Sequence, residues 1–332
     1  MKKSINSVID ERRDILDFLA SDADMKGIFD INTKIKKERV QLYKDSYNDI
    51  GNTPVYPLDL PNNNKLFLKL EYTNALGGNH YSRYWIPYLF IAETLGLIEK
   101  DEDEILEVTS GSSGIALANA CERLNYRLTL VVPNSIPKSK LLAMKKKDVA
   151  IVKTKGYIDA CIKKMVDLRD SKKKAYFMCN HSEEKANIIT HVFSRIAEEF
   201  VKEVSVPDYA ILALGNGTST EAVGTCFRKH QETKRCWLIG YHPDYTNKNT
   251  RPIFGLLPPN VKFRHVESVR EKLDDTEYTN CYNTNVIQSD LKNDKVLNKA
   301  GQTTLLAIAI AKKISRKTEG KLFFSIAYDA YT

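Results

Sequence analysis

Glu107-Val108-Thr109-Ser110-Gly111-Ser112-Ser113-Gly114-Ile115-Ala116-Leu117-Ala118 runs from a short apolar strand, through a turn of small hydroxyl residues, into an apolar helix. The strand reads as Ile105-Leu106-Glu107-Val108 and the helical pattern runs from Gly114 to Leu124. A helix N-terminus presents unpaired N–H groups and partial positive charge, so an anion is at home there. Thr109, Ser110, Gly111, Ser112 and Ser113 would offer backbone donors and hydroxyls to a carboxylate. Serine and threonine are also ordinary helix caps, so the turn alone fits a capped loop equally well.

Outward from this unit the same strand–turn–helix order repeats. Strands are read at Lys65–Glu71, Leu128–Pro133, Ala150–Lys153, Ala175–Met178, Tyr209–Leu214, Cys236–Tyr241 and Lys321–Ala327. Helices are read at 82–97, 138–147, 157–169, 188–203, 219–230 and 301–316. Such alternation predicts an α/β fold of parallel or mixed sheets covered by helices. Residues 1–48 read as a charged amphipathic helical extension, with Val8, Ile15, Leu16 and Leu19 on one stripe and Ile35, Val40 and Leu42 on a second. A second glycine-rich turn, Gly215-Asn216-Gly217-Thr218-Ser219-Thr220, follows an apolar strand and opens a helix. Its two glycines would let the backbone approach a phosphate, and its hydroxyls could add donors. Glu221 brings negative charge that would oppose a dianion if it pointed inward.

With 332 residues and 42% hydrophobic content, the chain can bury a sizeable core. The net charge of +8 arises from 50 basic and 42 acidic residues. Its lysine runs at 34–37, 145–147 and 172–174 are scattered and not interleaved with aromatics, so no nucleic-acid partner is expected. The six cysteines lack any Cys-x-x-Cys pair, and no zinc-ligand spacing occurs. No metal is expected, and a reducing cytoplasm is. No run of about 18 apolar residues is present, so no membrane association is expected.

Asn74-Ala75-Leu76-Gly77-Gly78-Asn79-His80-Tyr81-Ser82-Arg83 resembles the Asn-Pro-Gly-Gly-Ser-Val-Lys-Asp-Arg segment of the cysteine synthase and cystathionine β-synthase family, fold-type-II enzymes dependent on pyridoxal phosphate (PLP). Glu107–Ala118 is similar to that family's Glu-x-Thr-Ser-Gly-Asn-Thr-Gly-Ile-Ala-Leu-Ala. Gly215–Thr220 resembles its Gly-Thr-Gly-Gly-Thr phosphate loop. Asp49–Pro54, Leu68–Asn74 and Lys321–Asp329 also match, so the resemblance covers roughly residues 49–330 in order. It implies a two-lobed architecture: 49–74 with 188–332 as the larger, phosphate-loop domain, and 75–187 as the smaller domain. It places Thr109–Ser113 on a substrate carboxylate and Gly215–Thr220 on the PLP phosphate, with the cleft between them and Gly77–Arg83.

The same resemblance places Tyr81 where the family has the lysine that forms a Schiff base with the cofactor. A phenol cannot form one. Ser112 stands at the family's asparagine, and Ala330 at the serine that bonds the pyridine nitrogen. Tyr81 could donate a proton, although a phenol with a reference pKa of about 10 is a poor base at neutrality. His80 has a suitable side chain for acid–base work, and a lone histidine is more often structural. The expected protein therefore binds an amino-acid-like carboxylate and a phosphorylated ligand, with PLP held non-covalently or absent, and lacks normal β-replacement. A divergent lyase or transferase using Tyr81, His80 or another lysine is the alternative. A partner-binding scaffold built on residues 1–48 is a third reading. The resemblance further implies a homodimer and a partner protein at the cleft.

Overall fold

The computed structural model describes residues 4–171, 175–179, 181, 188–230, 234–247, 249–258 and 261–330. The lysine run at 172–174 lies outside the described residues. In chain order the first elements are α1 (Arg13–Ala20), α2 (Lys37–Tyr47), β1 (Val55–Leu60), β2 (Asn64–Lys69), α3 (Ser82–Thr94), β3 (Glu104–Val108) and α4 (Ser112–Leu124). Then come β4 (Arg127–Pro133), α5 (Lys138–Met144), β5 (Val149–Thr154), α6 (Ile158–Asp170), β6 (Tyr176–Met178) and α7 (Ile188–Glu203). The remainder is β7 (Tyr209–Ala213), α8 (Thr218–Lys229), β8 (Trp237–His242), α9 (Arg264–Arg270), β9 (Asp275–Tyr278), α10 (Thr284–Asp290), α11 (Gln302–Ser315) and β10 (Leu322–Ile326).

The chain divides into two units, the first made of Met1–Ile50, Ala75–Gly77 and Tyr81–Val192. Its sheet has the order β5-β4-β3-β6 and every pairing is parallel. All five residues of β3 are buried, as a central parallel strand covered on both faces requires. Leu106, Val108 and Val131 pack with Cys161 and Met165 of α6.

Residues 1–48 do not form one amphipathic helix. Two short α-helices and several 3-10 turns cover this unit. Ile15 and Leu19 are buried as expected, whereas Ile35, Val40 and Leu42 are only half-buried. Tyr43 and Tyr47 take the inward positions instead. Aromatic rings bury more area than Val or Leu, and Phe29 gives them an apolar wall: its ring centre lies 6.4 Å from Tyr43, 5.6 Å from Tyr47 and 5.1 Å from Phe90.

The second unit comprises Gly51–Asn74, Gly78–His80 and Phe193–Thr332. Its sheet runs β1-β2-β10-β7-β8-β9, antiparallel only between β1 and β2. Phe200, Phe227 and Phe324 meet at its core, with ring centres 4.7 to 6.3 Å apart. Strands β1 and β9 and helices α9 and α10 add to the elements read from sequence. Pro57 sits in edge strand β1, where a missing donor is tolerated.

Candidate functional site

In the first unit, the turn after central strand β3 is built around Thr109. Its Oγ1 accepts hydrogen bonds from Gly111 N (3.0 Å) and Gly114 N (2.9 Å). A Cβ on Gly114 would lie 2.3 Å from Thr109 Cγ2, so glycine is required there. Ser112 begins α4 and is half-buried, as is Ser110. The Ser113 carbonyl accepts from Trp85 Nε1 at 3.0 Å, which ties α3 to this turn. The Ser113 hydroxyl is buried and meets no hydrogen-bond partner among the described residues. The first turn of α4 carries no acidic residue. A helix N-terminus with a buried, unspent hydroxyl and no internal anion is suited to a carboxylate.

Tyr81 stands at the entrance of α3 and is half-buried. Gly77, four residues earlier, packs against α4 so closely that a Cβ would lie 2.9 Å from Ala116 Cα. The Tyr81 ring meets the His181 ring perpendicularly, 5.4 Å between centres. His181 Nδ1 lies 3.1 Å from Glu107 Oε2, and the His181 N–H donates to the same oxygen at 3.2 Å. Both side chains are buried. A carboxylate only accepts, so Nδ1 is the donor in this contact. His181 was invisible in sequence, being a single histidine 74 residues from its partner. A glutamate inside an otherwise apolar strand was the available signal for Glu107.

In the second unit, Gly215–Thr220 joins β7 to α8. Both glycines are required, although for a reason other than ligand approach. A Cβ on Gly217 (φ +86°) would lie 2.5 Å from Val266 N, and one on Gly215 would lie 2.6 Å from Gly255 O. Protein backbone occupies those faces. Asn216 Oδ1 accepts from Thr218 N (3.2 Å) and Thr218 Oγ1 (2.8 Å), and Thr220 Oγ1 donates to Ala213 O (2.8 Å). The Thr218 and Thr220 protons are therefore engaged within the loop, whereas Ser219 spends its hydroxyl on no described group.

Glu221 is turned toward α9. Its carboxylate pairs with His265 Nδ1, accepts from Ser268 Oγ at 2.6 Å and lies 3.7 Å from Lys272 Nζ. Burial would raise this carboxyl, but the His265 and Ser268 hydrogen bonds and the His265 and Lys272 charges prevail, holding it near 2 instead of 4.5. A depressed carboxyl stabilises the fold above its unfolded value and loses that contribution as pH falls through the folded one. Wild-type stability is thus expected to lose about 2–3 kcal/mol more than Glu221→Gln between pH 4.5 and about 2, measured by urea unfolding across that window. Parallel pH profiles for the two proteins would refute the assignment.

His80 and Ala330 also belong to the second unit. The buried His80 ring packs against Phe193 (5.2 Å) and Tyr328 (5.0 Å), which favours a structural role. Asp329 and Ala330 form isolated bridges with Asn79 and Ala300. Ala330 offers a methyl group and no hydroxyl. Tyr81 and Thr109–Ser113 are thus grouped in the first unit, and Gly215–Thr220, His80 and Ala330 in the second.

Two further surfaces bear on the chemistry. An open groove of about 570 Å³ beside α4 is lined by Leu76, Gly77, Asn119, Glu122, Arg123 and Lys146, among others. Glu122 and Lys146 pair across it at 3.2 Å, so those two charges are matched internally. Among the described residues, no group of three His, Cys, Asp or Glu side chains could hold a metal, and no helix is long and apolar enough to cross a membrane.

Residues 47–275 match the family described as pyridoxal-phosphate dependent enzyme. The chain belongs to this family. A cysteine synthase of Buchnera aphidicola from Acyrthosiphon pisum is 27% identical over 205 residues, covering 61% of this chain and 64% of that enzyme. The match thus spans less than two thirds of that relative's length. An O-acetylserine dependent cystathionine β-synthase from Helicobacter pylori superposes with a TM-score of 0.73 at 21% identity, covering 86% of this chain and 95% of the other. A hydrogen sulfide-producing enzyme from Fusobacterium nucleatum gives 0.72 at 21%, covering 86% and 97%. These superpositions support the α/β fold-type-II architecture expected from sequence.

Proposed function

We propose that this chain is a cysteine synthase-like family member that binds an amino-acid-like carboxylate at Thr109–Ser113 and a phosphorylated ligand, PLP among them, at Gly215–Thr220, without a lysine tether and without normal β-replacement. The observation that carries this reading is the donor set at the entrance of α3. Residues 74–83 hold a phenol, an imidazole and a guanidinium, and no lysine amine. The phosphate end of PLP fits the second-unit loop, where the α8 N-terminus and the Ser219 hydroxyl are available and Glu221 is engaged with α9. The covalent tether does not fit the Tyr81 turn. When bound, PLP supplies an electron-withdrawing pyridine ring. Thr109–Ser113 would orient the ligand carboxylate, and Ala330 would leave the ring nitrogen without a hydroxyl donor.

Incubation with PLP, borohydride treatment and intact-mass measurement test this reading. Wild type is expected to release PLP on dialysis and to gain no borohydride-fixed mass. Tyr81→Lys is expected to gain one fixed PLP equivalent. A wild-type adduct mapped to any lysine would overturn the untethered reading, and an unlabelled Tyr81→Lys variant would overturn the placement of Tyr81.

The Glu107–His181 pair favours a second reading, a divergent lyase or transferase. An imidazole oriented by a carboxylate and lying edge-to-face with Tyr81 has the geometry of an acid–base group. Turnover of O-acetyl-L-serine with sulfide that disappears in His181→Gln would establish it. A homodimer and a partner protein remain part of the proposal, with light scattering of the full chain as the check on the dimer.

A further inference from the structure

Leu76 borders the open groove beside α4, and its backbone is left-handed, at φ +69°. The other four non-glycine residues with positive φ among the described residues are all asparagines, whose short polar side chains tolerate that conformation. A leucine held there is strained, and strain of this kind collects at ligand sites, where it places a side chain that a relaxed backbone would turn elsewhere. The groove, of about 570 Å³, has the size of a small-molecule site, and the half-buried Leu76, Ile115 and Ala143 give it an apolar wall. On its polar side Glu122 is matched by Lys146 at 3.2 Å. Arg123 is exposed, and its guanidinium pairs with no described residue. Asn119 Nδ2 donates to Ile115 O at 2.7 Å, which leaves Oδ1 as the amide atom available to a ligand.

We propose that this groove is a binding site for a free aliphatic α-amino acid, separate from the turn at Thr109–Ser113, none of whose residues lines it. The one unmatched charge among the lining side chains is positive, so the groove is complementary to a carboxylate, which the planar fork of Arg123 takes through paired N–H groups. Asn119 Oδ1 only accepts, so it takes a proton of the ligand's ammonium group. Leu76, Ile115 and Ala143 receive the aliphatic side chain. A simple fatty carboxylate would leave Asn119 Oδ1 without a donor, and a neutral amide would leave Arg123 without an anion. The inference does not depend on the carboxylate reading of Thr109–Ser113.

The test is calorimetric titration of wild type, Arg123→Met and Leu76→Asn with L-leucine and with L-leucinamide, in the absence and presence of saturating L-serine, together with the melting temperature of each free protein. Wild type is expected to bind one equivalent of L-leucine whether or not L-serine is present, and to bind L-leucinamide about tenfold more weakly, since the amide gives Arg123 no anion. Arg123→Met is expected to weaken L-leucine binding by about tenfold and to leave the weak L-leucinamide binding unchanged. Arg123 also lies in the last turn of α4, where a cation suits the helix dipole, so this variant is judged by affinity and not by melting temperature. Leu76→Asn removes the apolar side chain and places a residue that tolerates the left-handed backbone. It should bind L-leucine more weakly and melt at or above the wild-type temperature. A lower melting temperature with unchanged L-leucine affinity would assign Leu76 to packing and overturn the proposal. So would a wild type that binds no L-leucine, L-serine that displaces it, or Arg123→Met that binds it as wild type does.

Discussion

Gly217→Ala is expected to lower stability by about 3 kcal/mol and to abolish binding of inorganic phosphate at Gly215–Thr220. Two costs combine. Gly217 sits at φ +86°, where an L-residue bearing a Cβ is strained by about 1–2 kcal/mol. The new methyl would also lie 2.5 Å from Val266 N, 2.6 Å from His265 C and 2.9 Å from His265 O. These are backbone atoms at the start of α9, so no side-chain rotation relieves the clash, and overpacking of this kind costs about 1–3 kcal/mol. The least costly escape moves α9 away, which strips Glu221 of His265 and Ser268. A carboxylate released from α9 would repel the phosphate that the α8 N-terminus is shaped to attract. Urea unfolding reads the first effect and phosphorus NMR titration reads the second. Gly224→Ala serves as the control: it lies in the middle of the same helix, where a Cβ would meet only the Leu238 methyl at 3.1 Å. A Gly217→Ala variant as stable as Gly224→Ala, with phosphate binding intact, would refute the packing account of the loop.

How much of this was legible in the sequence follows from how local each feature is. The turn at Thr109–Gly114 could be read because a buried strand, a hydroxyl-rich loop and an apolar helix follow one another without interruption. The same holds for Gly215–Thr220. Strand β9, Asp275–Tyr278, was not read, because an edge strand of Asp, Thr, Glu and Tyr has no apolar alternation to betray it. Strand β1 was hidden by Pro57, which argues against a strand anywhere except at an edge. The reason for the glycines in the phosphate-type loop was also out of reach, since Gly255 and Val266 lie far along the chain. His181 illustrates the same limit: it is an unremarked polar residue until the fold sets it against Glu107. Glu221 shows the converse limit: its charge is visible in the sequence and its direction is not.

Glu93→Ala is expected to cost about 3–5 kcal/mol and to release the N-terminal segment from the first unit. The Glu93 carboxylate accepts from Arg39 Nε at 3.1 Å and Nη2 at 3.0 Å, from the Tyr43 hydroxyl at 2.7 Å, and from the Tyr126 hydroxyl. Arg39 also donates to Leu124 O at 2.6 Å, and its guanidinium stacks over Tyr43 and Tyr126, 5.1 and 4.9 Å from the ring centres. Burial, helped by the Glu93 charge, pushes the phenols of Tyr43 and Tyr126 well above the ordinary tyrosine range. Removing the carboxylate leaves a cation and two phenols without their common acceptor, in a site where Arg39 and Glu93 expose only 13% and 15% of their side chains. Glu93→Gln should cost less, about 1–3 kcal/mol, since the amide still accepts from the phenols but no longer balances Arg39. The two variants should therefore rank in that order by urea midpoint. Alkaline difference spectra should show the tyrosine transition starting at lower pH in Glu93→Ala, because the neighbouring negative charge that helps to raise both phenols is gone. Hydrogen exchange should accelerate across α2, which carries Arg39 and Tyr43, before it does so in β3 or β4. That order distinguishes a cover fastened by one polar cluster from a segment held by its apolar face alone: in the latter case all three observables would stay at wild-type values. It also bears on whether residues 1–48 can serve a partner. A segment whose Ile15, Leu19, Phe29, Tyr43 and Tyr47 are committed inward does not have these side chains to offer a partner while it stays fastened.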